Sequence, residues 1–185
     1  ITGDIVNSKQ VTAELWLDVL KKELRQYGRS PQNWEIFRGD SFQLEVEPKD
    51  ALKVAISIKS ILKQINDLDV RMAIGIGMKD YSSNKITESN GSAFVNSGEC
   101  FELLKKNTLA IKTPWSDFDE MMNTMIDLSL ITMDSWSTKS AKFVKIGLDN
   151  PKMNQNELSG VLNKTQSTIS EGLKRAAFDE ILKMI

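Results

Sequence analysis

Trp34-Glu-Ile-Phe-Arg-Gly-Asp-Ser-Phe-Gln-Leu-Glu-Val46 is the stretch that decides the fold. It reads as two strand arms, residues 34–38 and 41–46, around a two-residue Gly39-Asp40 turn. In the second arm Phe42, Leu44 and Val46 alternate with Gln43, Glu45 and Glu47, so one face of a sheet is buried. Upstream, residues 11–27 place Leu15, Trp16, Val19, Leu20, Leu24 and Tyr27 on one helical face that stops at Gly28. Before that helix, Ile1-Thr-Gly-Asp-Ile-Val6 reads as the end of a strand. Downstream, Pro48 suits a first helical turn, and apolar residues recur at helical spacing from Ala51 to about residue 66. Val70, Met72, Ile74 and Ile76 then alternate as a strand, residues 79–91 are a polar loop, residues 92–106 a helix and Leu109-Ala-Ile111 a short strand.

The order is therefore β-α-β-β-α-β-α-β, and its first six elements follow the ferredoxin-like pattern, in which helices cover one face of an antiparallel sheet. Beyond Thr113-Pro114 the strand signals stop and residues 115–185 read as all helix. The expectation is an α+β protein: a ferredoxin-like domain over residues 1–114, then a helical region over 115–185.

Composition narrows the function. With 185 residues, 41% hydrophobic and 26% charged, the chain can bury a core without covalent staples. Its net charge of −1 rules out coating DNA or anionic lipid by bulk charge; nucleic acid would have to meet a local face. There is no histidine, which excludes Ser-His-Asp triads, His metal sites and a His pH switch. The single cysteine, Cys100, excludes an internal disulfide and a CxxC zinc site, and a reducing, cytoplasmic setting is expected. No apolar run approaches the roughly 18 residues of a membrane span, and no signal peptide is visible. The chain starts at Ile1 rather than Met, so a few upstream residues are expected to be missing.

Asp4 closes the first strand and Asp40 sits in the hairpin turn. If that strand lies beside the hairpin, both carboxylates reach one sheet edge and, with a backbone carbonyl, form a hard-oxygen set suited to Mg²⁺. Ile5-Val-Asn-Ser8 then leads into a helix, whose free N–H groups would suit a triphosphate. The plain alternative is an aspartate capping a helix and a Gly-Asp turn without a role. Gly75-Ile-Gly77 lies inside a strand with no helix after it, so it is not a dinucleotide fingerprint.

Ile1-Thr-Gly-Asp-Ile-Val-Asn-Ser8, Phe37-Arg-Gly-Asp-Ser-Phe42, Val70-Arg-Met-Ala-Ile-Gly75 and Gly91-Ser-Ala-Phe-Val-Asn96 together resemble the successive motifs of class III nucleotide cyclases, and the second is similar to a shortened GGDEF signature. Over nearly its whole length the chain is similar to the SatD family of small bacterial proteins, which pair such a palm domain with a C-terminal helix-turn-helix. The resemblance implies that Asp4 and Asp40 are the metal-binding aspartates and that the Ile5 carbonyl is the backbone ligand. It also implies that Asn96 is the asparagine of the transition-state pair, and that the protein is a homodimer. Two cations of the cyclase pattern are missing: Cys100 stands where the second member of the Asn/Arg pair belongs, and Ile36 where the base-selecting lysine does. Arg38, Lys105 and Lys106 are candidate substitutes. Nucleotide and Mg²⁺ binding are therefore expected to outlast cyclase turnover.

In the C-terminal region, Met121, Met125, Leu128 and Thr132 form one helical stripe and Met122, Ile126 and Met133 widen it, expected as core or dimer face. From residue 137 to 180 the pattern is that of a helix-turn-helix. Asn154 with Glu157 makes a capping box, Ser159-Gly160 are small where helices would cross, Asn163 tolerates a left-handed turn, and Thr165 caps the second helix. Ile169 and Leu173 face inward; Lys164, Thr165, Gln166, Ser167, Ser170 and Lys174 are the expected DNA-contacting residues. Residues 151–185 carry five basic and four acidic side chains, a thin excess for phosphate neutralisation, and a packing-only helical hairpin is the alternative. The reading is a DNA-binding transcriptional regulator whose cyclase-like domain binds a nucleoside triphosphate or cyclic nucleotide with Mg²⁺. The alternative is a Mg²⁺-dependent nucleotide cyclase or related phosphoryl-transfer enzyme.

Overall fold

The computed structural model describes residues 1–185. The chain runs β1 (Thr2–Val6), α1 (Ala13–Leu24), β2 (Trp34–Phe37), β3 (Ser41–Leu44), α2 (Ala51–Leu62), β4 (Asp69–Gly75), α3 (Ser92–Leu103) and β5 (Leu109–Lys112). Five helices follow: α4 (Ser116–Met133), α5 (Thr138–Asp149), α6 (Gln155–Leu162), α7 (Gln166–Arg175) and α8 (Phe178–Met184). The sheet order is β2-β3-β1-β4-β5, antiparallel except for the β4–β5 pair. The α+β class is as expected, and the first four strands take the ferredoxin-like arrangement, with β5 added as a parallel edge.

Strand alternation divides the faces. Ile5, Phe42, Leu44, Val70, Met72 and Ile74 share a core with Trp16, Leu20 and Leu24 of α1 and Ala55, Ile58 and Leu62 of α2. The opposite face carries Thr2, Asp4, Arg71 and Ala73, and α3 covers part of it; the Thr2 hydroxyl donates to Ser97 Oγ at 3.1 Å. Here Gly75 has its explanation: a Cβ would stand 2.2 Å from the Ala93 carbonyl oxygen, so only glycine lets α3 cross so close to β4.

The hairpin loop is one residue longer than expected. Phe37 pairs with Ser41, leaving Arg38-Gly39-Asp40, with Arg38 at φ 53° and Gly39 at φ 91°. Two successive left-handed residues make the reversal, and Gly39 supplies the second without a Cβ penalty. Strand β3 stops at Leu44, because the chain turns at Pro48 into a single 3₁₀ turn before α2.

Helix α4 shields the free edge of β5. The Asn123 side-chain amide accepts from the Ile111 N–H (2.9 Å) and donates to its C=O (2.8 Å), as a neighbouring strand would. Asp119 accepts from the Thr113 N–H at 2.9 Å. This fixes the rotation of α4: Met122, Ile126, Leu130 and Met133 are buried, while Met121, Met125 and Leu128 face outward.

The helices beyond α4 share one continuous core with the sheet, running through Trp136, Val144, Leu148, Leu158, Ile169, Leu173 and Ile181. A buried polar junction joins α1 and α2 to α5. Glu23 accepts from Ser57 (2.7 Å), Gln26 (2.9 Å) and Tyr27 (3.0 Å) and pairs with Lys145 (3.1 Å), which also reaches Asp149 (2.5 Å). The expected capping box of α6 forms between Asn154 and Glu157, and Asn163 is left-handed. The close helix crossing, however, is not at Ser159-Gly160, where nothing approaches; it is at Gly172 of α7, where a Cβ would sit 2.1 Å from the Phe143 ring of α5. No helix is long and apolar enough to cross a membrane.

Candidate functional site

The sheet brings the two aspartates to one edge. Asp4 is in register with Ser41, the residue after Asp40, and the Ile5 N–H donates to the Asp40 carbonyl at 3.1 Å. In a strand the N–H and C=O of one residue point the same way, so the Ile5 carbonyl also faces the hairpin turn. Asp40 Oδ2 accepts from Ser8 Oγ at 2.6 Å, which ties the segment after β1 to the same turn. Arg38 stands exposed in that turn, and no acidic side chain pairs with it.

Asp4 is not a free carboxylate. Arg71, its partner across β4, forks onto it: Nε donates to Oδ1 at 3.0 Å and Nη2 to Oδ2 at 2.5 Å. These bonds raise the Arg71 guanidinium above its ordinary value, and the group also lies 5.5 Å from the centroid of the Phe101 ring. Arg71 is the cation at this edge that the sequence reading missed. Its outward phase was visible, since Val70 and Met72 point inward; the β1–β4 register that sets it beside Asp4 was not. With two carboxylates and a carbonyl on one edge, the donor set suits a hard cation that keeps much of its shell as water or phosphate. A cation would have to take Asp4 from Arg71, and no three acidic or thiol side chains are placed to hold a metal ion together.

The segment Val6-Asn7-Ser8 is not a helix N-terminus, contrary to expectation. Asn7 is left-handed at φ 63°, its carbonyl accepts from Gln10 N–H (2.8 Å), and α1 begins only at Ala13. The Asn7 amide donates to the Asp67 carbonyl at 2.8 Å. Any phosphate here would meet a turn, not a helix dipole.

Asn96 is not brought to the aspartates within one chain. Its amide donates to the Ile76 carbonyl at 2.8 Å. Ile76, the residue after β4, lies five residues past Arg71, which at strand rise is roughly 16 Å from the Asp4 register. Cys100, one turn further along α3, is buried with Ala73 and Leu104, and burial pushes its thiol up to about 11. Lys105 and Lys106 are exposed in the turn between α3 and β5.

In the C-terminal helices, Thr165 caps α7 by accepting from the Thr168 N–H at 3.3 Å. Gln166 donates to Gln155 Oε1 at 2.9 Å, bridging the two helices of the turn. Lys164, Thr165, Gln166, Ser167 and Lys174 are exposed and Ser170 half-buried, opposite the packed face of Ile169, Gly172 and Leu173. Glu171 shares the outward face, which lowers its positive charge. No family model, no curated protein and no solved structure matches this chain.

Proposed function

We propose that the protein is a cytoplasmic, homodimeric DNA-binding regulator in which the Asp4–Asp40 edge senses a nucleoside triphosphate or cyclic nucleotide with Mg²⁺. The observation that carries this reading is α7. Its inner face is fixed onto α5 through Gly172 and Phe143, while its outer face holds short polar side chains and Lys174 without intramolecular ion pairs. Gln166 and Ser167, at the first exposed positions, suit base edges; Lys164, Thr165, Ser170 and Lys174 suit phosphates and groove walls. A dimer would double a footprint that is thin in one copy.

At the sensing edge Asp4, Asp40 and the Ile5 carbonyl would hold Mg²⁺, which supplies charge neutralisation to the phosphates when bound. Arg71, released from Asp4, then offers its fork to the same phosphates, and Arg38, with the turn formed by Val6, Asn7 and Ser8, closes the edge. The test is fluorescence polarisation on genomic DNA fragments with and without Mg²⁺-nucleoside triphosphates and cyclic nucleotides. Selective binding that changes with nucleotide, and a shallower salt dependence in Lys164→Ala and Lys174→Ala, is the expected outcome. Absence of selective binding in every condition overturns the regulator.

A second reading, a nucleotide cyclase or related phosphoryl-transfer enzyme, is favoured by one observation: Arg71 places a cation between the aspartates' edge and α3. Since Asn96 is held at Ile76, it would have to come from a second copy. Asp40→Asn should then abolish turnover and leave DNA binding of the nucleotide-free protein intact.

A further inference from the structure

Helix α4 spends only half of its apolar surface on the fold. Phe118, Met121, Met125, Leu128 and Ile131, with Trp115 just before the helix, are between 37% and 74% exposed. Phe118, Met121, Met125 and Leu128 follow each other at three- and four-residue steps, the spacing of a helix-packing seam. Together the six residues expose on the order of 700 Å², more than the largest apolar patch of most monomers and close to the roughly 800 Å² that each partner gives a standard interface. The charge along this helix is one-sided. Every charged residue from 116 to 133 is acidic: Asp117 stands one turn before Met121, beside the apolar stripe, Glu120 is exposed further round the helix, and Asp127 accepts from the Asn107 side-chain amide at 2.7 Å.

We propose that the outward face of α4 docks a basic amphipathic helix of another protein. The stripe from Phe118 to Leu128 spans roughly 15 Å, so three turns of a partner helix cover it. Apolar residues at matching steps would enter the seam, and Lys or Arg beside them would meet Asp117 and, further round, Glu120. Charge favours a foreign basic helix over a second copy: α4 carries four acidic residues and no basic one, so two copies laid side by side repel, whereas a basic helix is attracted.

The probe is a fluorescein-labelled helical peptide with Leu at seam spacing and Lys and Arg on its flanks, compared with one that keeps the Leu positions but carries Glu on its flanks. Polarisation titrations with the full chain should show the basic peptide binding at least about tenfold tighter than the acidic one, with the difference shrinking at high salt. Trp115 is the one exposed tryptophan, the other three being buried, so its emission should shift to the blue on binding. Leu128→Asp should cut affinity at least about tenfold with an unchanged circular dichroism spectrum, since its side chain is outside the core. Asp117→Lys with Glu120→Lys should reverse the preference between peptides. Equal binding of both peptides, or binding of neither, overturns the proposal. So does a wild-type dimer in sedimentation that Leu128→Asp dissociates, because a second copy would then hold the face.

Discussion

Replacing Lys145 with methionine tests whether α5, and the helix-turn-helix behind it, is locked to the sheet domain. Methionine keeps most of the side-chain stem and removes the charge. Glu23, 2% exposed, would retain the donors Ser57, Tyr27 and Gln26 but lose its only counter-charge. Breaking a buried ion pair from one side costs about 3–5 kcal/mol, and the three surviving hydrogen bonds bring this case just below that range, to about 2–3 kcal/mol. For a chain of this length that lowers Tm by about 5–10 °C. Glu23→Gln should cost less, about 1–2 kcal/mol, because Lys145 keeps Asp149 as partner. The double variant should be more stable than the sum of the single effects by at least about 1 kcal/mol. Urea and thermal unfolding of the four proteins measure this cycle. A Lys145→Met protein within about 0.5 kcal/mol of wild type, or strict additivity, would refute the claim that this pair joins the two regions.

Arg71→Ala should let Mn²⁺, titrated alone and followed by electron paramagnetic resonance, bind about fivefold more tightly, because a pair worth about 1 kcal/mol no longer competes for Asp4, while nucleotide affinity falls; movement of both in the same direction contradicts the site. Ala177 opens α8 in the left-handed region at φ 52°, so Ala177→Gly should raise stability by about 1 kcal/mol in urea melts. Cys100 has its pKa raised from 9.0 to about 11 by burial, the nearby Asp119 adding to it. The folded state therefore holds this proton more tightly than the unfolded one: the contribution is complete below pH 9 and disappears as pH climbs to about 11. Denaturant melts across that window should lose less stability in Cys100→Ala, and the wild-type thiol should resist thiol reagents at pH 8 until the protein unfolds.

The strands and helices were legible because their apolar residues repeat at steps of two or of three and four, and punctuation such as Gly28, Pro48 and Asn163 marks their ends. What stayed hidden depends on contacts between distant segments. The inward stripe of α4 could not be chosen from its spacing, since both stripes are apolar; the Asn123 and Asp119 bonds to β5 decide it. Ser159-Gly160 resembles a helix crossing as much as Gly172 does, and only the Phe143 ring distinguishes them. Asp4 and Asp40 are legible as candidates because one lies towards the end of a strand and the other in a hairpin turn, whereas Arg71 is an ordinary outward residue until register sets it opposite Asp4. The hairpin loop was misjudged by one residue because Arg38 takes a positive φ that its residue type does not advertise.

The continuous core limits how a ligand at the sheet edge could act on DNA. Ile5, next to Asp4, is packed among the residues that α1 and α2 cover; α2 packs on α5; and Phe143 of α5 fills the space left by Gly172 on α7. No flexible linker lies between the edge and the reading helix, so the two are not beads that a nucleotide could draw together or release. A signal could travel as a small rigid shift through Glu23–Lys145 and the Phe143–Gly172 contact, through Trp136, which shares a pocket with Val6 and Asn7 and donates to the Ala176 carbonyl at 3.1 Å, or as a change in how two copies are set against each other. These routes yield only the modest coupling of about 1–3 kcal/mol that packed interfaces supply, which is enough to change DNA affinity severalfold but not to switch it from absent to saturated. A regulator packed in this way would adjust an occupancy rather than switch it, and the exchange of Arg71 between Asp4 and a phosphate is a local event at the edge that could drive such an adjustment.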